Sequence, residues 1–142
     1  LDLIRTLNQE EKQQILDKLS TGIPISAFKA NLSSLQIIIK YLKETEKKSF
    51  KEISQILNRK LSTIYNTYTQ SKTKFKKNLD ISNTSVKIPY NIFQNRKYSV
   101  LESITSYLKD KKKLSFKEIS LALNKSYSTI KTVYTRYKIK NG

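Results

Sequence analysis

The sequence predicts an all-α protein of two tandem tri-helical units preceded by an N-terminal helix. Three observations carry that expectation: the chain repeats itself, each copy holds helix-start signals at matching places, and apolar residues recur at helical spacing. Laying 101–140 over 35–74, a constant shift of 66 positions, makes roughly half of the residues identical. Self-similarity of that extent marks a duplicated structural unit. The string Ser49-Phe50-Lys51-Glu52-Ile53-Ser54 returns as Ser115-Phe116-Lys117-Glu118-Ile119-Ser120, and Tyr41-Leu42-Lys43 returns as Tyr107-Leu108-Lys109. Ser62-Thr63-Ile64 matches Ser128-Thr129-Ile130, and Tyr68-Thr69 matches Tyr134-Thr135. Ile23-Pro24 and Phe28 recur as Ile88-Pro89 and Phe93 at a shift of 65, so one residue separates the copies just before their first helix.

In chain order, residues 1–22 form an N-terminal helical segment, 23–76 the first repeat, 77–87 a linker and 88–142 the second repeat. The N-terminal segment places Leu3, Ile4, Leu7, Ile15, Leu16 and Leu19 at helical steps, with Asn8 and Glu11 as a capping pair. It also holds Asp2, Glu10, Glu11 and Asp17, a large share of the acids, which turns it away from any polyanion. Its expected use is packing on the first repeat, or contact with another protein or a second copy of the chain.

Within each repeat, Ser33 with Gln36 and Ser99 with Glu102 have the spacing in which a hydroxyl caps the N3 amide and the N3 side chain reaches back. A first helix starts there, with an apolar stripe of Leu35, Ile38, Ile39 and Leu42, or Leu101, Ile104 and Leu108. Ser49 with Glu52 and Ser115 with Glu118 repeat the signal and start a short second helix of about two turns. Ile53, Ile56 and Leu57, or Ile119, Ala122 and Leu123, form its apolar face. Asn58 and Asn124 follow, a residue type that tolerates the left-handed conformation helix ends favour, so a tight turn is expected. A third helix then buries Ile64 and Tyr68, or Ile130 and Tyr134, and leaves Thr, Asn, Lys and Arg on its other face. Phe50, Tyr68, Phe116 and Tyr134 stand at equivalent apolar positions and are expected in the core. The polar stretch 75–87 reads as a connector that can extend about 40 Å.

Charge and composition bound the function. The 142 residues carry 28 Lys and Arg against 11 Asp and Glu, a formal +17, which points to a polyanionic partner. Codon bias toward Lys, Asn, Ile and Tyr would raise Glu as well, and acids are scarce. With no Cys and no His, zinc fingers, thiol chemistry and near-neutral general bases are unavailable, so the chain is read as a non-enzyme without metal or cofactor. Two glycines, Gly22 and Gly142, leave no phosphate-binding Gly-rich loop. The longest wholly aliphatic run, Ile37-Ile38-Ile39, is far short of a membrane span, and the first residues lack a signal peptide's apolar core. A cytoplasmic, nucleoid-associated location without membrane contact is expected.

A short helix, a tight turn and a polar-faced helix make the helix-turn-helix pattern, so each tri-helical unit is read as a helix-turn-helix unit. The segment 114–136, with Phe116-Lys117-Glu118-Ile119-Ser120, Leu123-Asn124 and Ser128-Thr129-Ile130, resembles the helix-turn-helix of sigma factor region 4 and of LuxR-type DNA-binding domains. The likeness covers about 45 residues in each copy and implies DNA binding more strongly than sigma activity. Three positions depart from the family pattern. Asn58 and Asn124 replace its Gly, Ser54 and Ser120 its small Ala, and Arg59 and Lys125 its apolar turn residue. A basic turn suits phosphate contact.

Sequence-specific binding of double-stranded DNA, as a transcription regulator with two major-groove helices, is therefore expected. The alternatives are a DNA-coating nucleoid protein and, on charge alone, an RNA- or ribosome-associated factor. The candidate reading faces are Tyr65, Asn66, Thr69 and Gln70 in one copy and Lys131, Thr132, Thr135 and Arg136 in the other. Asn and Gln pair with adenine, Arg and Lys with guanine, and Thr offers a methyl to thymine. A plain solvated surface is the competing use of both faces. Ser62, Thr63, Ser128 and Thr129 stand at the helix starts, for phosphate contact or for capping. Arg59, Lys60, Lys72, Lys125, Ser126 and Tyr127 complete the expected DNA-binding set. The clusters Lys72, Lys74, Lys76, Lys77 and Lys111, Lys112, Lys113 are read as phosphate-attracting.

Overall fold

A computed structural model describes residues 22–142. The expected N-terminal helix lies outside the described residues. Six α-helices follow: α1 (Ser34–Glu44), α2 (Phe50–Leu57) and α3 (Leu61–Lys74), then α4 (Val100–Ser106), α5 (Phe116–Leu123) and α6 (Tyr127–Asn141). Among the described residues the fold is all-α apart from a pair of two-residue strands, β1 (Ile23–Pro24) and β2 (Lys87–Ile88). Each strand leads into a 3-10 turn, Ile25–Lys29 in the first copy and Tyr90–Phe93 in the second. A π-turn, Tyr107–Lys111, extends α4.

All four serine capping boxes form, with Ser33, Ser49, Ser99 and Ser115 each accepting from the N3 amide and donating its own amide to the N3 side chain. The amide of Ser49 holds Glu52, and that of Ser115 holds Glu118, below the ordinary carboxylate value of 4.5. A depressed folded pKa means that this contribution is complete at neutral pH and is lost as pH falls from the ordinary Glu range through the folded value. Thermal melts should therefore show a lower Tm at pH 3 than at pH 6, and Glu52→Gln with Glu118→Gln should flatten part of that difference.

The helix ends are left-handed. Asn58 and Asn124 take φ of 53° and 54°, as the residue type leads one to expect. Lys47 (φ 57°) and Lys113 (φ 60°) do the same after α1 and the π-turn. In both places the last turn widens, the amides of Glu46 and Lys112 reaching Tyr41 O and Tyr107 O at 3.2 Å. Lysine carries no sequence signal for this conformation, so these ends were not legible.

One core spans both copies. Ile38, Leu42, Ile53, Leu57 and Ile64 join Ile104, Leu108, Ile119, Leu123 and Ile130 in a single buried cluster, with Ile23 and Ile88 at 0% exposure between them. A tri-helical unit of about 50 residues buries too little surface to stand comfortably alone, and the shared core answers that need. Phe50, Tyr68, Phe116 and Tyr134 pack at its margin rather than inside it, half-buried. The phenol groups account for the two tyrosines, since Tyr68 donates to Glu44 at 2.9 Å and Tyr134 to Asp110 at 2.7 Å, and Phe50 and Phe116 pack edge-on against those rings.

Equivalent parts of the two copies meet each other. Strands β1 and β2 pair antiparallel with Ile23 opposite Ile88, its own counterpart. The 3-10 turn of the first copy packs on α5 of the second, the turn of the second packs on α2 of the first, and α1 touches α4. Asn58 Nδ2 donates to Gln94 O at 3.0 Å, and Asn124 Nδ2 donates to Lys29 O at 3.4 Å. Gly22, before β1, has φ +158° and lies against β2, where a Cβ would stand 2.9 Å from Ile88 O. Only glycine fits that approach.

The connector is anchored along its length rather than extended. Ser26 Oγ donates to Asp80 O at 2.8 Å and accepts from Asn83 N at 3.0 Å, while Ile25 N donates to Val86 O at 2.9 Å. Its polar composition builds consecutive turns: Asp80 Oδ1 accepts from Ser82 N at 2.9 Å, and Asn83 Oδ1 from Ser85 N at 3.0 Å. Phe75, Leu79 and Val86 pack against the core.

Among the described residues, Thr105 Oγ1 is a buried side-chain oxygen without a hydrogen-bond partner, and it stands where the first copy has Ile39. An unsatisfied buried hydroxyl costs about 1–3 kcal/mol. Thr105→Val, which keeps the shape, is expected to stabilise the protein by about 1–2 kcal/mol in urea titrations.

Candidate nucleic-acid interface

α3 and α6, of 14 and 15 residues, contain no Asp or Glu. Each is fastened by one narrow face, Ile64 and Ser71 in α3 and Ile130 and Val133 in α6. Thr63, Thr67, Tyr68, Tyr134 and Tyr137 are half-buried beside those faces, and the other residues of both helices are open to solvent. Tyr65, Asn66, Thr69, Gln70 and Lys72 are exposed on α3, and Tyr127, Ser128, Thr129, Lys131, Thr132, Thr135 and Arg136 on α6. Lys60, Ser62 and Ser126 are exposed at the helix starts, whereas Thr63, Arg59 and Lys125 are half-buried. The structure thus gathers the expected residues into two strips, one along each third helix with its preceding turn.

The turns give Ser54, Ser120 and the two asparagines structural roles. Ser54 Oγ donates to Arg59 O, and Ser120 Oγ donates to Lys125 O at 2.5 Å. The hydroxyl therefore ties the turn to the short helix. Asn58 and Asn124 keep the left-handed backbone and reach the other copy with their amides.

The two helix starts differ. In α6 Ser126 is the N-cap, accepting from Thr129 N at 3.2 Å, so in this copy capping is the role of Ser126 rather than of Ser128 or Thr129. In α3 the N-cap is Lys60, with no side-chain cap bond, and Ser62 and Thr63 do not cap. Those first amides and the adjacent cationic turn present a donor-rich, positive end. Thr69 Oγ1 donates to Tyr65 O at 3.0 Å and Thr135 Oγ1 to Lys131 O at 2.9 Å. Turning the hydroxyls back on the helix leaves the methyl as the outward group of both residues.

Cations line the strips. Arg59 lies near Arg96, and burial with that like charge holds its guanidinium below the usual arginine range. Arg96 Nη1 in turn donates to Asn58 O at 3.0 Å. Lys43 Nζ sits 4.2 Å from the Phe50 ring centre and Lys109 Nζ 4.5 Å from that of Phe116, equivalent pairs beside the two third helices. Lys72 lies over Tyr68 at 5.6 Å and Lys138 over Tyr134 at 5.9 Å, again in parallel. Burial and Glu44 push the Tyr68 phenol up to about 12, and the bond to Asp110 with burial does the same for Tyr134. Both phenols stay neutral donors. Lys40, Lys43, Lys47, Lys72 and Lys76 surround Glu44 in an open groove of about 510 Å³.

Arg96, Lys43 and Lys109 were not among the residues expected from sequence. The repeat of Tyr-Leu-Lys at 41–43 and 107–109 was the available signal for the two lysines, and Arg96 lies in the unmatched loop between the 3-10 turn and α4. Among the described residues the ion pairs are Lys40 with Glu44 at 2.9 Å and Lys140 with Glu102 at 2.7 Å. Burial raises the Glu102 pKa, but Lys140, the Ser99 amide and nearby Arg136 outweigh it and hold the carboxylate below its usual range.

Among the described residues no group of Asp or Glu side chains is placed to hold a metal ion, and no helix is long and apolar enough to cross a membrane. No family model matches the chain, and neither the curated proteins nor the solved structures hold a match.

Proposed function

We propose that this chain binds double-stranded DNA with sequence preference, as a transcription regulator, and that α2–turn–α3 and α5–turn–α6 act as helix-turn-helix motifs resembling those of sigma factor region 4. The observation that carries the reading is the pair of acid-free third helices, each held by a narrow buried face and exposed along the opposite one, after a left-handed turn bearing Arg59 or Lys125. In this reading α3 and α6 enter the major groove. Arg59, Lys60, Lys72, Lys76 and Arg96 meet phosphate, which positions without specifying. Asn66, Gln70, Lys131 and Arg136 meet base edges, and Thr69 and Thr135 offer methyls to thymine.

Substitution tests the division of labour. Arg136→Ala is expected to cost about 1–3 kcal/mol and to relax preference at one base pair, whereas Lys76→Ala weakens all sequences alike. Binding to a panel of single-base variants of a selected duplex reads both effects. If neither substitution changes preference while both reduce affinity, the chain is a DNA-coating protein. Stronger competition by structured RNA than by duplex DNA at moderate salt points instead to the RNA-associated reading.

A further inference from the structure

The repeat runs head to tail in the sequence, but its copies are related in space by a two-fold rotation. Antiparallel pairing sets Ile23 opposite its own counterpart Ile88, with Pro24, one step after it, opposite Lys87, one step before. A translation of one copy along the chain direction cannot do that. The reciprocal contacts follow the same operator: Asn58 to Gln94 O and Asn124 to Lys29 O, where 29 and 94 are equivalent, and 3-10 turn on α5 as 3-10 turn on α2. Contacts in which i meets j and j meets i are those of an isologous dimer, here closed within one chain. Because Asn58 and Asn124 end the helices that precede α3 and α6, both third helices start beside the other copy's lead-in turn.

Duplex DNA has two-fold axes of its own perpendicular to the helix, relating the backbone of one strand to that of the other. A protein two-fold aligned with such an axis meets the same groove geometry twice, on opposite strands, which is why half-site symmetry mirrors protein symmetry. We infer, resting on the DNA-binding reading above, that the duplex this chain recognises is a pseudo-palindrome: two inverted half-sites of unlike sequence, one read by α3 and one by α6. The arms differ because Tyr65, Asn66 and Gln70 stand where the second copy has Lys131, Thr132 and Arg136. They agree where Thr69 and Thr135 present equivalent methyls, so a thymine is shared by both arms.

Unlike arms hide their relative orientation, so the test makes them alike. The triple variant Tyr65→Lys, Asn66→Thr and Gln70→Arg gives both helices one set of reading residues, at positions that are all exposed. Selection from a random duplex pool with the full chain should enrich a two-armed site for the native protein and a near-perfect palindrome for the variant. Reversing one arm of that palindrome should weaken the variant about 100-fold, the gain that simultaneous engagement supplies. Enrichment of a direct repeat, or of one arm alone, overturns the inference and leaves DNA binding standing. Failure of the native chain to hold any duplex against competitor overturns the DNA-binding reading itself. Circular dichroism checks the fold of the variant. The reverse graft, Lys131→Tyr, Thr132→Asn and Arg136→Gln, gives the same readout if Tyr65 proves needed against Phe50.

Discussion

Raising salt from 50 to 200 mM is expected to weaken duplex binding by about 10⁴- to 10⁵-fold. Two third helices with their basic turns neutralise about eight to ten phosphates, and each contact releases condensed counterions, so log K falls with log salt at a slope of about −7 to −9. The formal +17 alone does not require this slope, since dispersed lysines attract polyanions without fixed contacts. The DNA-binding reading rests the slope on nine cations on or beside the two acid-free helices: Arg59, Lys60, Lys72, Lys76 and Arg96 in the first copy or its neighbouring loop, and Lys125, Lys131, Arg136 and Lys138 in the second. Titrations at four salt concentrations with a labelled duplex give the slope directly. A slope between 0 and −2 excludes two engaged helices.

Ile88→Ala is expected to destabilise the whole molecule by about 2–5 kcal/mol, a large part of the 5–15 kcal/mol usual for a domain. Ile88 is wholly buried, belongs to β2, and lies in the one core that both copies share. Removing its side chain opens a cavity on the axis between the copies, so the loss is felt by both. Denaturant titration followed by circular dichroism should show one transition, shifted to lower denaturant, with Ile23→Ala giving a matching shift. Two separate transitions, or a first copy that keeps its native midpoint, would mean that the copies fold independently and that the axis is not a structural unit.

The helices themselves were legible. Four serine capping boxes and two asparagine ends fix the start of four helices and the end of two, because these signals act between residues three or four apart. The strips on α3 and α6 followed from the same local pattern. The two-fold did not, because nothing within a window of 10 residues says that Ile23 will pair with Ile88, 65 positions away. Lead-ins that share Ile-Pro and Phe look the same whether the copies stack by translation or by rotation. The connector misled for a similar reason: Asp80, Ser82, Asn83 and Ser85 have loop chemistry, and it takes Ser26 from the first lead-in to anchor them. Arg96 stayed hidden because it has no counterpart in the other copy, and duplication was the strongest guide available.

Footprinting of one selected duplex by hydroxyl radicals, with the full chain at one molecule per duplex, tests most directly the claim that one chain presents two readers to one DNA. Two protected stretches on one face, centred about one helical turn or ~10 base pairs apart, are the expected result. Asn66→Ala with Gln70→Ala should erase one stretch and leave the other at reduced affinity. A single short stretch that survives damage to either helix, or one chain joining two duplexes, contradicts it.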